Sequence, residues 1–222
     1  MEILFKNPTI YDILKQAYSS GFRLIYVYYP TMNALKSSDK VSQLPQLGSL
    51  VDRKTTYSRP LNLFDKNELC ERAYLKLGPN IRIRRYQKLL DPSPSSNLRQ
   101  LAIASGVWSR FKIDTKIPTA GFEAMFEAWI TNSLNGSLAD EVFIAYDKTN
   151  SAVGEEVAFI TVKRRENAVN IGLLSVAESH RRLGIAKSLL SRAVLWALEE
   201  IGVNDSGKDN LVFTILSPHT FS

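Results

Sequence analysis

Hydrophobic positions change period several times along the chain, and each change marks an element. Over residues 9–20, Ile10, Ile13, Leu14 and Ala17 recur at helical spacing, Thr9 and Asp12 suit a capping box, and Gly21 can end the helix. Residues 22–29 are aromatic and β-branched and close on Pro30, which predicts a strand, while residues 33–48 are polar enough for a loop carrying at most a short helix. Residues 51–61 and 80–90 alternate as strands do, around a short helix predicted at 69–77. Asp91-Pro92-Ser93-Pro94-Ser95-Ser96 then concentrates prolines and serines as a linker does.

After it, Ser96 is the expected cap of a helix carrying Leu98, Leu101 and Ala102, with Gly106 to stop it. A second helix is predicted beyond Pro118, with Phe122, Met125, Phe126, Trp129 and Ile130 on one core-facing side and Asn135-Gly136 as its terminator. Residues 141–146, 155–163 and 168–176 read as three strands of a meander, and residues 211–216 as a further one. Between the last two, Ile185, Leu189, Ala193, Trp196 and Ala197 recur as the buried face of a long helix. The organisation this predicts is a small basic α/β domain at 1–90, a linker at 91–96 and a second α/β (α+β) domain at 97–222 with a mixed central sheet.

Composition narrows the class. With 222 residues, 45% hydrophobic and 23% charged, the chain is a folded globular protein and not a disordered one. No apolar stretch approaches the roughly 20 residues of a membrane helix, and the start lacks the basic and apolar regions of a secretory signal, so a cytoplasmic location without membrane insertion is expected. Cys70 stands alone and His180 and His219 are the only histidines, which leaves no disulfide and predicts no metal site. Cutting the chain after Lys116 separates 19 basic and 9 acidic residues from 9 and 13, or +10 from −4. Such a basic half attracts phosphorylated ligands or polyanions, or it is a solvated surface; charge does not choose between them.

The chemistry concentrates in Ser175-Val176-Ala177-Glu178-Ser179-His180-Arg181-Arg182-Leu183-Gly184-Ile185-Ala186-Lys187, a strand end, a basic turn and a helix start. Unpartnered N–H groups and the helix dipole favour an anion at that point, and Gly184 allows it to come close. Arg181-Arg182-Leu183-Gly184-Ile185-Ala186 resembles the pyrophosphate-binding motif of the GNAT acetyltransferase superfamily (Gln or Arg, two residues, Gly, one residue, Gly or Ala), and residues 171–176 resemble its central strand, which splays to receive pantetheine. The resemblance implies acetyl-CoA as co-substrate, held by Leu174, Ser175, Val176, Arg181, Arg182, Leu183, Gly184, Ile185, Ala186 and Lys187, with an N–H near Leu174–Val176 as oxyanion donor.

Residues 101–114 and 126–133, together with 51–57, look more narrowly like dTDP-fucosamine acetyltransferases. That likeness implies acetyl transfer to the amino group of a nucleotide-linked amino-deoxy-sugar in surface-glycan precursor synthesis, with Arg110, Phe111 and Lys112 at the sugar nucleotide. The family's general-acid Tyr lies beyond the cradle helix, and no Tyr follows Ile201 here, so no catalytic residue is assigned and an altered C-terminal end is expected. His219 could donate a proton in its place. An end of that kind predicts a bare sheet edge along residues 211–215 and marginal stability, or a partner copy, as in a homodimer, covering the edge. The competing readings are a CoA-binding protein without catalysis, a GNAT enzyme for another amine, and a nucleic-acid-binding module, against which no recognised nucleic-acid motif is present.

Overall fold

The computed structural model describes residues 10–22, 24–26, 53–73, 77–87, 93–150, 152–165, 168–201 and 210–217. Contacts divide the chain into two units, Met1–Leu50 and Val51–Ser222. In the first, helix α1 (Ile10–Ser19) forms where the periodicity predicts it, with Ala17 buried and Ile13 and Leu14 half-buried. Gly21, at φ 81°, closes it: the N–H groups of Phe22 and Gly21 reach the carbonyls of Ala17 and Tyr18, both at 3.0 Å, and satisfy acceptors the last turn leaves open. Residues 22 and 24–26 are irregular where the pattern predicts a strand. The Thr9 cap and the rest of the 22–48 reading lie outside the described residues.

The second unit runs β1 (Arg53–Pro60), a 3-10 turn (Leu61–Leu63), α2 (Lys66–Ala73), β2 (Ile81–Arg85), α3 (Ser96–Ser105), the single turn α4 (Arg110–Ile113) and α5 (Thr119–Leu134). It continues through β3 (Glu141–Asp147), β4 (Glu155–Arg165), β5 (Ala168–Val176), a 3-10 turn (Glu178–His180), α6 (Ile185–Ile201) and β6 (Asn210–Ser217). The strands form one six-stranded sheet in the order β1-β6-β5-β4-β3-β2. Every neighbouring pair is antiparallel except β5–β6, whose parallel crossover is made by α6.

Two expectations change here. The separate domain at 1–90 and linker at 91–96 differ from the observed division, because β1 and β2 are the outer strands of the same sheet and α2 packs on α6. The Pro-Ser segment leads into α3 within that unit; Pro94 is buried, and Ser95 in place of Ser96 caps the helix, its Oγ accepting the Leu98 N–H at 3.1 Å. Nor is β6 left with a bare edge. β1 pairs along its whole length, from Arg53 opposite Ser217 to Pro60 opposite Asn210.

Local signals explain the element ends. Asp65 Oδ1 accepts the N–H groups of Asn67 and Glu68 at 2.8 and 3.0 Å, which starts α2 three residues before the predicted 69. Helices cover both faces of the sheet. On one, α2 and α6 bury Leu69, Ala73, Ile185, Leu189, Ala193 and Trp196 against Phe143, Ile160, Val162 and Val169. On the other, α3 and α5 bury Leu98, Leu101, Phe122, Phe126 and Ile130 against Val142, Ile144, Phe159 and Leu173. The aromatic stripe of α5 is thus core, as its spacing predicts.

Candidate functional site

The site grows from the end of β5. Its alternation is interrupted once: Leu174 pairs with Ile160 and Ile171 with Val162, so Gly172 and Leu173 face Thr161 alone in a β-bulge. The Thr161 hydroxyl accepts the Leu173 N–H at 2.8 Å, and the Ala177 N–H donates to the Val157 carbonyl at 2.8 Å. Both of those N–H groups face β4. Since successive N–H groups of an extended strand point to opposite edges, those of Leu174 and Val176 face the β6 side.

On that side, among the described residues, no strand pairs with them. The parallel ladder runs from Ala168 opposite Asn210 only to Ile171 opposite Phe213. β5 nevertheless continues to Val176, held by β4, and β6 to Ser217, held by β1. The two strands therefore diverge past Ile171, and the N–H groups of Leu174 and Val176 line the opening.

The cradle turn closes the same end. After the 3-10 turn, Arg182 takes a left-handed φ of 67° and Gly184 a φ of 81°, and α6 begins at Ile185. The Gly184 carbonyl accepts the Ser188 N–H at 3.1 Å, which leaves the N–H groups of Ile185, Ala186 and Lys187 as the first of the helix, without intrahelical acceptors. Ile185 is buried at 1% exposure and anchors the helix start, while Arg181, Arg182, Leu183 and Lys187 are exposed around the turn. Arg181 donates through Nε to the Val176 carbonyl at 3.3 Å, one of its five N–H donors, and so ties the turn to the strand end. The residues suit a pyrophosphate: backbone donors, the positive helix end, a glycine at a left-handed φ, and cations at the rim.

Two supports of the turn were not legible in the sequence. His180 Nε2 meets Asp147 Oδ2 at 3.1 Å and its Nδ1 meets Ser179 Oγ at 2.8 Å, fixing the turn to the end of β3. The Thr149 hydroxyl, then His180, then the Thr149 N–H hold the Asp147 carboxyl down to about 2. Behind the turn, Ser188 Oγ and Arg192 Nε donate to the Ala73 carbonyl at 2.8 and 3.0 Å and join α6 to the end of α2. Separations of 33 and over 100 residues give no local signal for either contact.

The structure thus brings Leu174, Ser175, Val176 and Arg181–Lys187 together, and it places Arg110, Phe111 and Lys112 on the other layer. There the Arg110 guanidinium lies 4.1 Å from the Phe111 ring centre and Lys112 Nζ 5.2 Å from that of Phe122. Phe111 packs against the α3–α5 core, and Trp108, one turn earlier, is 67% exposed. His219 lies outside the described residues. Among those described, no group of three or more His, Cys, Asp or Glu could hold a metal ion, and no helix is long and apolar enough to cross a membrane.

Comparison with known proteins agrees with this geometry. Residues 139–218 match the family model of the acetyltransferase (GNAT) domain. No curated protein matches the chain. Among solved structures it is similar to a functionally unknown conserved protein from Staphylococcus epidermidis ATCC 12228, at 14% identity over 96% of this chain and 73% of that one, with a TM-score of 0.52 that shows a shared fold. It is also similar to a GCN5-related N-acetyltransferase-like protein from Streptococcus suis 89/1591, at 14% identity over 81% of this chain and 57% of that one, with a TM-score of 0.45. The strand divergence, the cradle turn and α6 all fall inside residues 139–218, the segment that matches the GNAT acetyltransferase domain.

Proposed function

We propose that the chain transfers the acetyl group of acetyl-CoA to an amine, and that the amine belongs to a nucleotide-linked amino-deoxy-sugar. The observation that carries the first part is the separation of β5 from β6 past Ile171, directly before the helix start at Ile185. A pyrophosphate on the N–H groups of Ile185, Ala186 and Lys187, flanked by Arg181 and Arg182, leaves an extended arm facing the uncovered edge of β5. Acetyl-CoA supplies the activated acyl group. The chain supplies the N–H groups of Leu174 and Val176, aimed at the side where a carbonyl oxygen gains charge when the amine attacks; losing one such donor costs on the order of 100-fold in rate.

The acceptor reading rests on the likeness of residues 51–57, 101–114 and 126–133 to dTDP-fucosamine acetyltransferases, and on α4. That turn presents Arg110 and Lys112 beside Phe111, near the exposed Trp108, a combination that suits a phosphate next to a flat ring.

Calorimetric titration with acetyl-CoA tests the first part against an Arg181→Glu, Gly184→Glu variant. Binding by the unmodified chain and its loss in the variant are expected; no binding by the unmodified chain would sink the reading. CoA release with a dTDP-linked amino sugar, set beside other amines, tests the acceptor, with Arg110→Ala expected to raise KM for the sugar nucleotide. Turnover with a simple amine alone reassigns the acceptor, and binding without any turnover reassigns the chain to CoA binding.

A further inference from the structure

We infer that Thr161 and Gly172 are positioning residues for the acyl group: the Thr161 hydroxyl, seated where residue 172 has no side chain, sets the register slip that turns the N–H groups of Leu174 and Val176 toward the opening. The inference rests on the acetyl-CoA reading of that opening. It adds residues from β4 and the middle of β5 that touch neither the cradle nor the acetyl group.

The slip has visible consequences along β5. Before it, Val169 and Ile171 pack with the α6 layer; after it, Leu173 is buried in the α3–α5 layer, while Leu174 and Val176 pack with α6. In an uninterrupted strand residues 169, 171 and 173 would share one face, so one extra residue has exchanged the faces and, with them, the edges to which the N–H groups point. Ladder pairing with β6 ends at Ile171, immediately before the bulge. Bulge and divergence therefore begin at the same point of the strand.

Thr161 holds the slip in place. It is 2% exposed, and its Oγ1 takes the Leu173 N–H in place of a backbone carbonyl. Without that oxygen a buried donor lacks its acceptor. The hydroxyl also needs room: a Cβ on residue 172 would lie 2.7 Å from Thr161 Oγ1, closer than any side chain tolerates. Thr161 and Gly172 are thus complementary across the two strands, the oxygen of one occupying the space the other vacates.

The test compares acetyl-CoA with 3′-phosphoadenosine 5′-diphosphate, which carries the pyrophosphate and no pantetheine arm, by calorimetry on Thr161→Val, Thr161→Ser and Gly172→Ala. Thr161→Val keeps the side-chain shape and should weaken acetyl-CoA roughly tenfold while leaving the arm-less nucleotide within about twofold, since only the strand edge is disturbed. Thr161→Ser should restore acetyl-CoA binding. If Thr161→Val fails to fold, Gly172→Ala, which displaces the hydroxyl, decides the matter by the same selective loss. Equal losses for both ligands, or acetyl-CoA affinity unchanged in a folded variant, overturn the inference and leave the acetyl-CoA reading standing. Failure of the unmodified chain to bind acetyl-CoA removes both.

Discussion

At Arg182 the backbone adopts φ 67°, the left-handed region, which costs a residue with a Cβ on the order of 1 kcal/mol. Such strain persists where the surroundings hold it, and here it lies in the turn that presents Arg181 and Arg182 at the start of α6. Arg182→Gly separates conformation from charge. The folded state sheds the strain and the unfolded chain gains entropy, so denaturation should show stability changed by less than about 1 kcal/mol. Acetyl-CoA affinity should fall several-fold, by an amount that shrinks with added salt, because an exposed cation is lost. Full affinity in the variant would mean that Arg182 serves the turn alone. The basic motif is legible in the sequence; the left-handed φ falling on the arginine as well as on Gly184 is not, since nothing about an arginine announces it.

At the scale of elements, α3 and α5 meet where Gly106 follows α3. A Cβ there would sit 2.1 Å from the Phe126 ring, although the φ of −96° suits any residue. Close approach, and not conformational freedom, is what this position requires. Gly106→Ala should destabilise the chain by about 1–3 kcal/mol through overpacking, read from the denaturation midpoint, and Phe126→Leu in the same chain should return part of it. Gly106→Ala alone leaving the midpoint unmoved would refute the tight contact. Sequence reading places Gly106 as the end of α3 and Phe126 on the buried face of α5, both correctly. It does not place one on the other, because hydrophobic period reports which face is buried and not what lies across from it.

For the whole molecule, the charge asymmetry acquires a structural meaning beside the ligand-binding one. The two outer strands of the sheet, among the described residues, are β1 and β2, and they carry Arg59 and Arg82, Arg84 and Arg85. Cations on an edge strand, with Pro60 at the end of β1, discourage pairing with another chain. Arg85 has a further task in pairing with the buried Glu141, so it is left intact in the test. Arg82→Thr with Arg84→Thr should make the chain associate in a concentration-dependent way by light scattering, and a variant as monodisperse as the parent would return those arginines to ligand binding or plain solubility. The arrangement also answers the expected weakness of β6: its far edge is occupied by β1, a strand from more than 150 residues earlier in the chain.

By itself the sequence determined what short-range physics controls: the helical faces of α1, α3, α5 and α6, the meander β3–β5, and the strand-turn-helix at Arg181–Gly184, where period, caps and glycine act within a few residues of one another. Only the tertiary structure decided that β1 and β2 complete the sheet, that β5 slips by one residue against Thr161, that β5 and β6 part at Ile171, and that His180 finds Asp147. Each of these is a pairing between distant segments, where many partners satisfy the same alternation and the choice is made by the simultaneous burial of both faces of the sheet.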